Sequence, residues 1–129
     1  MRSIPVGTEG SYTARVEPGD LASSFKDATL PPVLSTPVMI KYMENAALRA
    51  IKPFLDDIET AVGTAVDIRH LAATPVGRWV RAEARVTEVH GRRVVFAVRA
   101  ADDVREIGVG THERVVIDGV RFAEELTAQ

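Results

Sequence analysis

A single long helix limits the possible folds of this chain more than any other part of its sequence. The stretch from Leu34 to Phe54 contains both a start and a stop signal. Thr36 has the side chain of an N-cap, and the proline after it suits the first helical position, where a missing N–H costs nothing. Pro53 ends the helix, because a residue before proline is disfavoured in the α region. The polar face holds Lys41, Asn45, Arg49 and Lys52, and the apolar face holds Met39, Met43, Ala46, Ala47, Ala50 and Phe54. This pattern is typical of a helix that covers a core with one face.

After the helix, the hydrophobic period changes from about 3.6 residues to two, as in β-strands. Alternation predicts one strand before the helix, at residues 11–16, and four after it, at 62–71, 79–89, 93–101 and 105–117. Short turns join the last four strands, which makes them antiparallel neighbours. We expect residues 21–33 to be irregular or a short helix, and residues 122–129 to be disordered or helical. The pattern predicts an α+β domain in which one helix covers an antiparallel sheet of about five strands.

The totals are those of an ordinary globular domain. The 129 residues, 46% hydrophobic and 26% charged, predict a single domain over 1–129. A net charge of −2 with mixed signs offers no basic face for nucleic acid. No apolar run reaches the roughly 20 residues of a membrane span, and the N-terminus lacks a signal-peptide core. The absence of cysteine excludes disulfides, a thiolate nucleophile and cysteine metal sites, and cytoplasm is the expected compartment.

Glu44 is the first candidate for chemistry. It lies at the edge of the apolar helix face, with Ile40 and Leu48 one turn away on either side. A carboxylate in that position needs a partner or a function. Two interpretations are open: Glu44 is a solvated residue that pairs with Lys41, or it is a general base or nucleophile in apolar surroundings.

Thr36 and His70 also have two interpretations each. Capping alone explains a threonine at position 36, but a hydroxyl there also stands beside the free N–H groups of the first turn, which stabilise a developing oxyanion. Alternation places His70 on one apolar face with Val62, Thr64, Val66 and Ile68. It is either a satisfied core histidine or a catalyst. No zinc-ligand spacing connects it to the other two histidines, so no metal site is predicted.

The last strand carries glycines and a cation on one face. Gly108-Val-Gly110 resembles the start of a dinucleotide-binding motif, but the third glycine is missing and no helix follows, so that motif is excluded. Glycines on one face of a strand let another chain or a ligand approach closely. Arg114, on the same face, either binds a phosphate or carboxylate or pairs with a neighbouring acid.

The predicted element order resembles a known fold. A helix lying across a long antiparallel sheet, in the order β-α-β-β-β-β, is similar to the hot-dog fold of acyl-CoA thioesterases and dehydratases. Four blocks resemble the fluoroacetyl-CoA thioesterase family: Thr36 with Met43-Glu44, then VGTA at 62–65, HLAATP at 70–75, and EIGVGTHER at 106–114. Together they span nearly the whole chain.

This resemblance implies a reaction and a set of residues. It implies hydrolysis of a small acyl-CoA thioester by Thr36, Glu44 and His70, with Gly63 and Arg114 in the substrate site. Coenzyme A would enter as part of the substrate, without a metal or redox cofactor, and the site would lie at the interface of a homodimer. Whether Glu44 attacks the carbonyl or activates water stays open.

One departure concerns the lid ahead of the catalytic threonine. Family members specific for fluoroacetyl-CoA carry phenylalanines there, whereas DATLPPVL at 27–34 has Leu30 at about that position. We therefore expect a thioesterase for several short acyl groups. Two alternatives stay open: a non-catalytic module that binds or senses acyl-CoA on the same fold, and a hydratase, whose usual Asp–His motif is missing from the sequence.

Overall fold

The computed structural model describes residues 1–129, with the exception of the Phe25 side chain. The elements are β1 Glu9–Arg15, α1 Ala22–Phe25, α2 Thr36–Ile51, β2 Glu59–His70, β3 Trp79–His90, β4 Arg93–Ala101, β5 Glu106–Asp118 and α3 Gly119–Thr127. The five predicted strands and the long helix are confirmed, with ends that differ by up to three residues. None of the helices in the described part of the chain is both long and apolar enough to cross a membrane.

The strands form one antiparallel sheet in the order β1-β3-β4-β5-β2. Helix α2 packs across its inner face, which confirms the predicted α+β architecture. The buried residues of the central strands alternate as predicted, with Val80, Ala82, Ala84 and Val86 on β3 and Val94, Phe96, Val98 and Ala100 on β4. Gly10 of β1 lets the helix approach closely, because a Cβ there would lie 2.5 Å from the carbonyl oxygen of Ala46.

A β-bulge in β2 changes which of its residues face the helix. Gly63 pairs with Arg114 and Ala65 with Glu113, so Thr64 is an extra residue without a partner of its own on β5. The extra residue reverses the alternation, because side chains on a strand switch faces at every step. The prediction that Val62 shares a face with His70 is therefore wrong. Gly63 shares that face instead, although it lies an odd number of residues from His70.

The start of α2 also differs from the prediction. Ser35 occupies the N-cap position and Thr36 is the first helical residue, so Thr36 is not the cap. The Thr36 hydroxyl forms a hydrogen bond with His70 of β2, which explains why it does not cap the helix. At the other end, α2 stops at Ile51 and a 3₁₀ turn, Lys52–Phe54, carries the chain through Pro53.

The C-terminal segment is helical. The carboxylate of Asp118 accepts hydrogen bonds from the backbone N–H groups of Val120 and Arg121 and thereby caps α3. Of the two alternatives for residues 122–129, the helical one is confirmed as far as Thr127.

Candidate active site

Thr36 and His70 form a hydrogen-bonded pair. Thr36 lies in the first turn of α2 and His70 is the last residue of β2, and Thr36 Oγ1 is 2.8 Å from His70 Nδ1. Burial lowers the pKa of His70 from its ordinary value of 6.5, an effect that the backbone of Ala72 partly offsets. Burial therefore favours the neutral imidazole, whose Nδ1 either accepts the hydroxyl proton or carries a proton and donates it to the hydroxyl oxygen. Its Nε2 is buried, with no hydrogen-bond partner among the described residues.

An open cleft of about 470 Å³ adjoins this pair. Its walls are mainly aliphatic, and they include Leu30, Pro31, Val33, Leu34, Leu71, Ala72 and Ala73. Lys26 adds an ammonium group at the surface. Leu30, which the resemblance placed in the lid segment, thus lines the same cleft as Thr36 and His70. An aliphatic cleft beside a polar pair is the usual composition of a small-molecule site.

Glu44 lies on the same helix but against other partners. Its Oε2 is 3.6 Å from Arg114 Nη1, and the two side chains are 38% and 9% exposed. A Cβ at Gly63 would lie 2.8 Å from the same oxygen, so only glycine leaves room for the carboxylate above the strand. The expectation of apolar surroundings for Glu44 is wrong, because a guanidinium stands next to it. The alternative of pairing with Lys41 is not observed, and Glu44 contacts Arg114 instead.

Arg114 is held from two sides. Its Nη2 donates to the carbonyl oxygen of Ala61 at 2.6 Å, and its Nη1 lies 3.1 Å from Nε2 of His112. Burial lowers the pKa of Arg114 below its ordinary value, and the nearby Glu44 carboxylate opposes this shift. An arginine still keeps its charge in such a place. The Glu44 carboxylate therefore faces a fixed cation.

His112 is a member of this cluster that the sequence did not identify. It is 2% exposed, its ring stacks on Phe96 with centroids 5.9 Å apart, and its Nδ1 is 2.8 Å from the carbonyl oxygen of Ala65. Burial lowers its pKa below 6.5. The sequence signal that could have identified His112 is its position two residues before Arg114, on the same side of β5 as Gly108 and Gly110. In the structure this side of β5 lies against α2.

The predicted residues therefore form two groups. Thr36 and Glu44 are eight residues apart on α2, about 12 Å along the helix axis. Between them lies Ile40, and Leu48 follows, so that Thr36, Ile40, Glu44 and Leu48 make one partly exposed line that we name the site edge. In the described part of the chain, no hydrogen bond or ion pair joins Glu44 to Thr36 or His70. Both groups open on the same side of the helix.

Comparison with known proteins identifies the family. The family model for fluoroacetyl-CoA-specific thioesterase (FlK) matches residues 16–120. The chain belongs to this family. A curated FlK family relative, the fluoroacetyl-CoA thioesterase of Streptantibioticus cattleyicolor, is 45% identical over 95 residues, which are 74% of this chain and 68% of the relative.

Solved structures agree with this assignment. The alignment with a structure of the fluoroacetyl-CoA thioesterase FlK has a TM-score of 0.92 and 36% sequence identity, and it covers 98% of each chain. The alignment with a thioesterase superfamily member from Thermus thermophilus has a TM-score of 0.86 and 34% sequence identity, and it covers both chains completely. These matches confirm the hot-dog fold and the resemblance to the FlK family.

Proposed function

We propose that this protein hydrolyses the thioester of a short-chain acyl-CoA to the free acid and coenzyme A. The observation that carries the proposal is the placement of Glu44 over Gly63 and beside Arg114, on the same edge of α2 as the Thr36–His70 pair. These are the residues that the family resemblance assigns to the site. A curated family relative, which shares 45% identity, is itself a fluoroacetyl-CoA thioesterase.

In the proposed reaction, an oxygen nucleophile adds to the thioester carbonyl carbon and the C–S bond breaks. The nucleophile is either Glu44 itself, in which case water later cleaves the acyl-enzyme, or a water whose proton Glu44 accepts. The departing thiolate takes up a proton, so the products are a carboxylic acid and the free thiol of coenzyme A. Arg114 balances the charge of Glu44 before the reaction and offers no proton of its own.

We propose that Thr36, oriented by His70, stabilises the carbonyl oxygen of the thioester during the reaction. The negative charge that develops on this oxygen needs donors that are in place beforehand. The Thr36 hydroxyl is one such donor, and the N-terminus of α2, which no Ser35 side chain caps, is another. In this role Nδ1 of His70 carries the proton and donates to the Thr36 oxygen at 2.8 Å, which leaves the hydroxyl proton for the carbonyl oxygen.

We further propose a homodimer with the site at its interface. β2 lies at the edge of the sheet for twelve residues, and Val66 in its middle is 48% exposed. A long edge strand left uncovered pairs with other chains, and a two-fold contact is the usual way to cover it. A second copy packed there would also close the open side of the site edge.

The cofactor requirement follows from the reaction. Coenzyme A enters as part of the substrate, and the mechanism needs no metal or redox cofactor. Among the described residues no group of three His, Cys, Asp or Glu side chains could hold a metal ion. A single domain over 1–129 and a cytoplasmic location remain proposals that rest on the sequence.

The test is a hydrolysis panel with acetyl-, propionyl-, butyryl- and fluoroacetyl-CoA, read by release of thiol. The protein has no cysteine, so it contributes no background to this assay. We expect turnover of several substrates without a large preference for fluoroacetyl-CoA, because Leu30, Val33 and Leu34 are aliphatic and such a pocket separates close analogues by about 1–3 kcal/mol.

Two outcomes would contradict the proposal in different ways. A fluoroacetyl preference of about a thousandfold, or ~4 kcal/mol, would refute the argument from the aliphatic cleft. Binding of acyl-CoA without hydrolysis of any substrate would instead favour the alternative of a binding or sensing module.

A further inference from the structure

We propose that His112 is a positioning residue, which holds the guanidinium of Arg114 beside Glu44 without letting it bind the carboxylate directly. The inference rests on the proposed function, since it concerns the geometry of the same site. His112 does not line the cleft and is 2% exposed, so its role would be exerted through Arg114.

The contacts of His112 determine which of its nitrogens carries the proton. Nδ1 is 2.8 Å from the carbonyl oxygen of Ala65, which can only accept, so Nδ1 is the donor. Nε2 faces Nη1 of Arg114 at 3.1 Å, and a guanidinium can only donate, so Nε2 is the acceptor. One neutral tautomer satisfies both contacts, whereas a protonated ring would place two donors face to face. The pKa of His112, lowered by burial, agrees with a neutral ring.

The guanidinium of Arg114 is thereby fixed at both of its terminal nitrogens. Nη2 donates to the carbonyl oxygen of Ala61 at 2.6 Å and Nη1 donates to His112. At 3.6 Å, the separation from Glu44 Oε2 is too long for a hydrogen bond. The positive charge of Arg114 thus stabilises the Glu44 carboxylate, while the oxygen lone pairs of Glu44 stay free. A carboxylate that must attack a carbonyl or accept a proton needs those lone pairs.

Without the acceptor at His112, the guanidinium is free to turn toward Glu44. Arginine and carboxylate prefer a close, two-pronged contact of about 2.8 Å. Such a contact would occupy the lone pairs of Glu44 and move its carboxylate away from Gly63. Loss of the His112 acceptor should therefore slow the chemical step and leave substrate binding almost unchanged.

Two matched variants separate this role from simple packing. His112→Gln places an amide oxygen near the position of Nε2 and keeps an acceptor for Arg114. His112→Asn places its amide near Nδ1 and keeps only the donor to Ala65. We expect kcat of the Gln variant within about threefold of wild type, and a loss of about 10- to 100-fold for the Asn variant with KM changed less than about threefold, the effect of a lost hydrogen bond to a charged group. If the Asn variant turns over as fast as the Gln variant, or if both lose activity in proportion to lost stability, the inference is overturned.

A second measurement does not depend on turnover. Two-bond ¹H–¹⁵N spectra of the wild-type protein should show His112 as the neutral Nδ1–H tautomer, together with slowly exchanging side-chain N–H signals of Arg114. A charged ring or the Nε2–H tautomer at neutral pH would overturn the inference even if the wild type hydrolysed no thioester. The hydrolysis panel tests the proposed function and the spectra test the role of His112, so the two failures are distinguishable.

Discussion

Replacing Gly63 by alanine should separate activity from stability. The new Cβ would lie 2.8 Å from Oε2 of Glu44, whereas ordinary van der Waals contact lies between 3.4 and 4 Å. The carboxylate must therefore retreat by about 0.6 Å or more. Glu44 can do so, because its side chain is 38% exposed and the clashing atom is at its flexible end. The strand backbone and the core are not involved in this adjustment.

The size of the effect follows from this displacement. Catalytic groups must stay within about 0.5 Å of their productive positions, and an error of about 1 Å costs roughly a hundredfold in rate. We expect kcat of Gly63→Ala to fall by about 10- to 100-fold, or ~1.4–2.7 kcal/mol of barrier. Stability should be unchanged or higher by up to about 1 kcal/mol, because alanine restricts the unfolded chain more than glycine does.

Two other glycines serve as controls in thiol-release assays and thermal melts. Gly19→Ala meets no atom within 4 Å and should behave as wild type in both measurements. Gly10→Ala would press its Cβ to 2.5 Å from the backbone of α2, and it should lower the melting temperature. Full activity of Gly63→Ala would refute the reasoning, since it would mean that the position of Glu44 does not limit the reaction.

Three further predictions concern the base, the histidines and the assembly. Glu44→Gln keeps the shape of the side chain and removes its charge, so thiol release should drop about a hundredfold or more while circular dichroism stays unchanged; near wild-type turnover would exclude Glu44 from the mechanism. Burial lowers the pKa of both His70 and His112 below 6.5, so the unfolded chain binds more protons in that window, and the free energy of unfolding in urea should fall as the pH drops through about 6.5 toward 5. The double variant with glutamine at both positions should lose this dependence, and a wild type whose stability is flat over that range would contradict the buried, neutral rings. Sedimentation should give twice the 14.0 kDa chain mass, and a fully active monomer would contradict the interfacial site.

The sequence predicted the elements of this fold well, because apolar and polar residues alternate along most of each strand and a proline follows the long helix. It failed at the bulge, where alternation continues in phase from Val62 to Val66 and only Gly63, a residue type that often marks a bulge, is a local signal. The bulge depends on the register with β5, which pairs Gly63 with Arg114. That register is set by residues about fifty positions away, and a pattern read along one strand does not contain it.

The site was predicted as a set of residues but not as an arrangement. Thr36 was interpreted as a cap because its position before proline suits one, yet its hydroxyl binds His70 from another element. His112 was overlooked because a histidine carries no signal of burial in a sequence. Its role becomes visible only when Ala65 and Arg114 are seen on either side of the ring.

The position of β2 in the sheet also determines when the site can form during synthesis. β2 pairs only with β5 within the chain, from His70 with Gly108 at one end to Glu59 with Asp118 at the other. A nascent chain can therefore assemble β1, β3, β4 and α2 before β5 leaves the ribosome, whereas β2 cannot pair until then. Contacts so distant along the sequence form slowly and leave an unpaired strand exposed to aggregation in the meantime. Glu44 and Gly63 are made early, but they acquire Arg114 only after β5 has been made, so folding of the scaffold precedes completion of the catalytic centre.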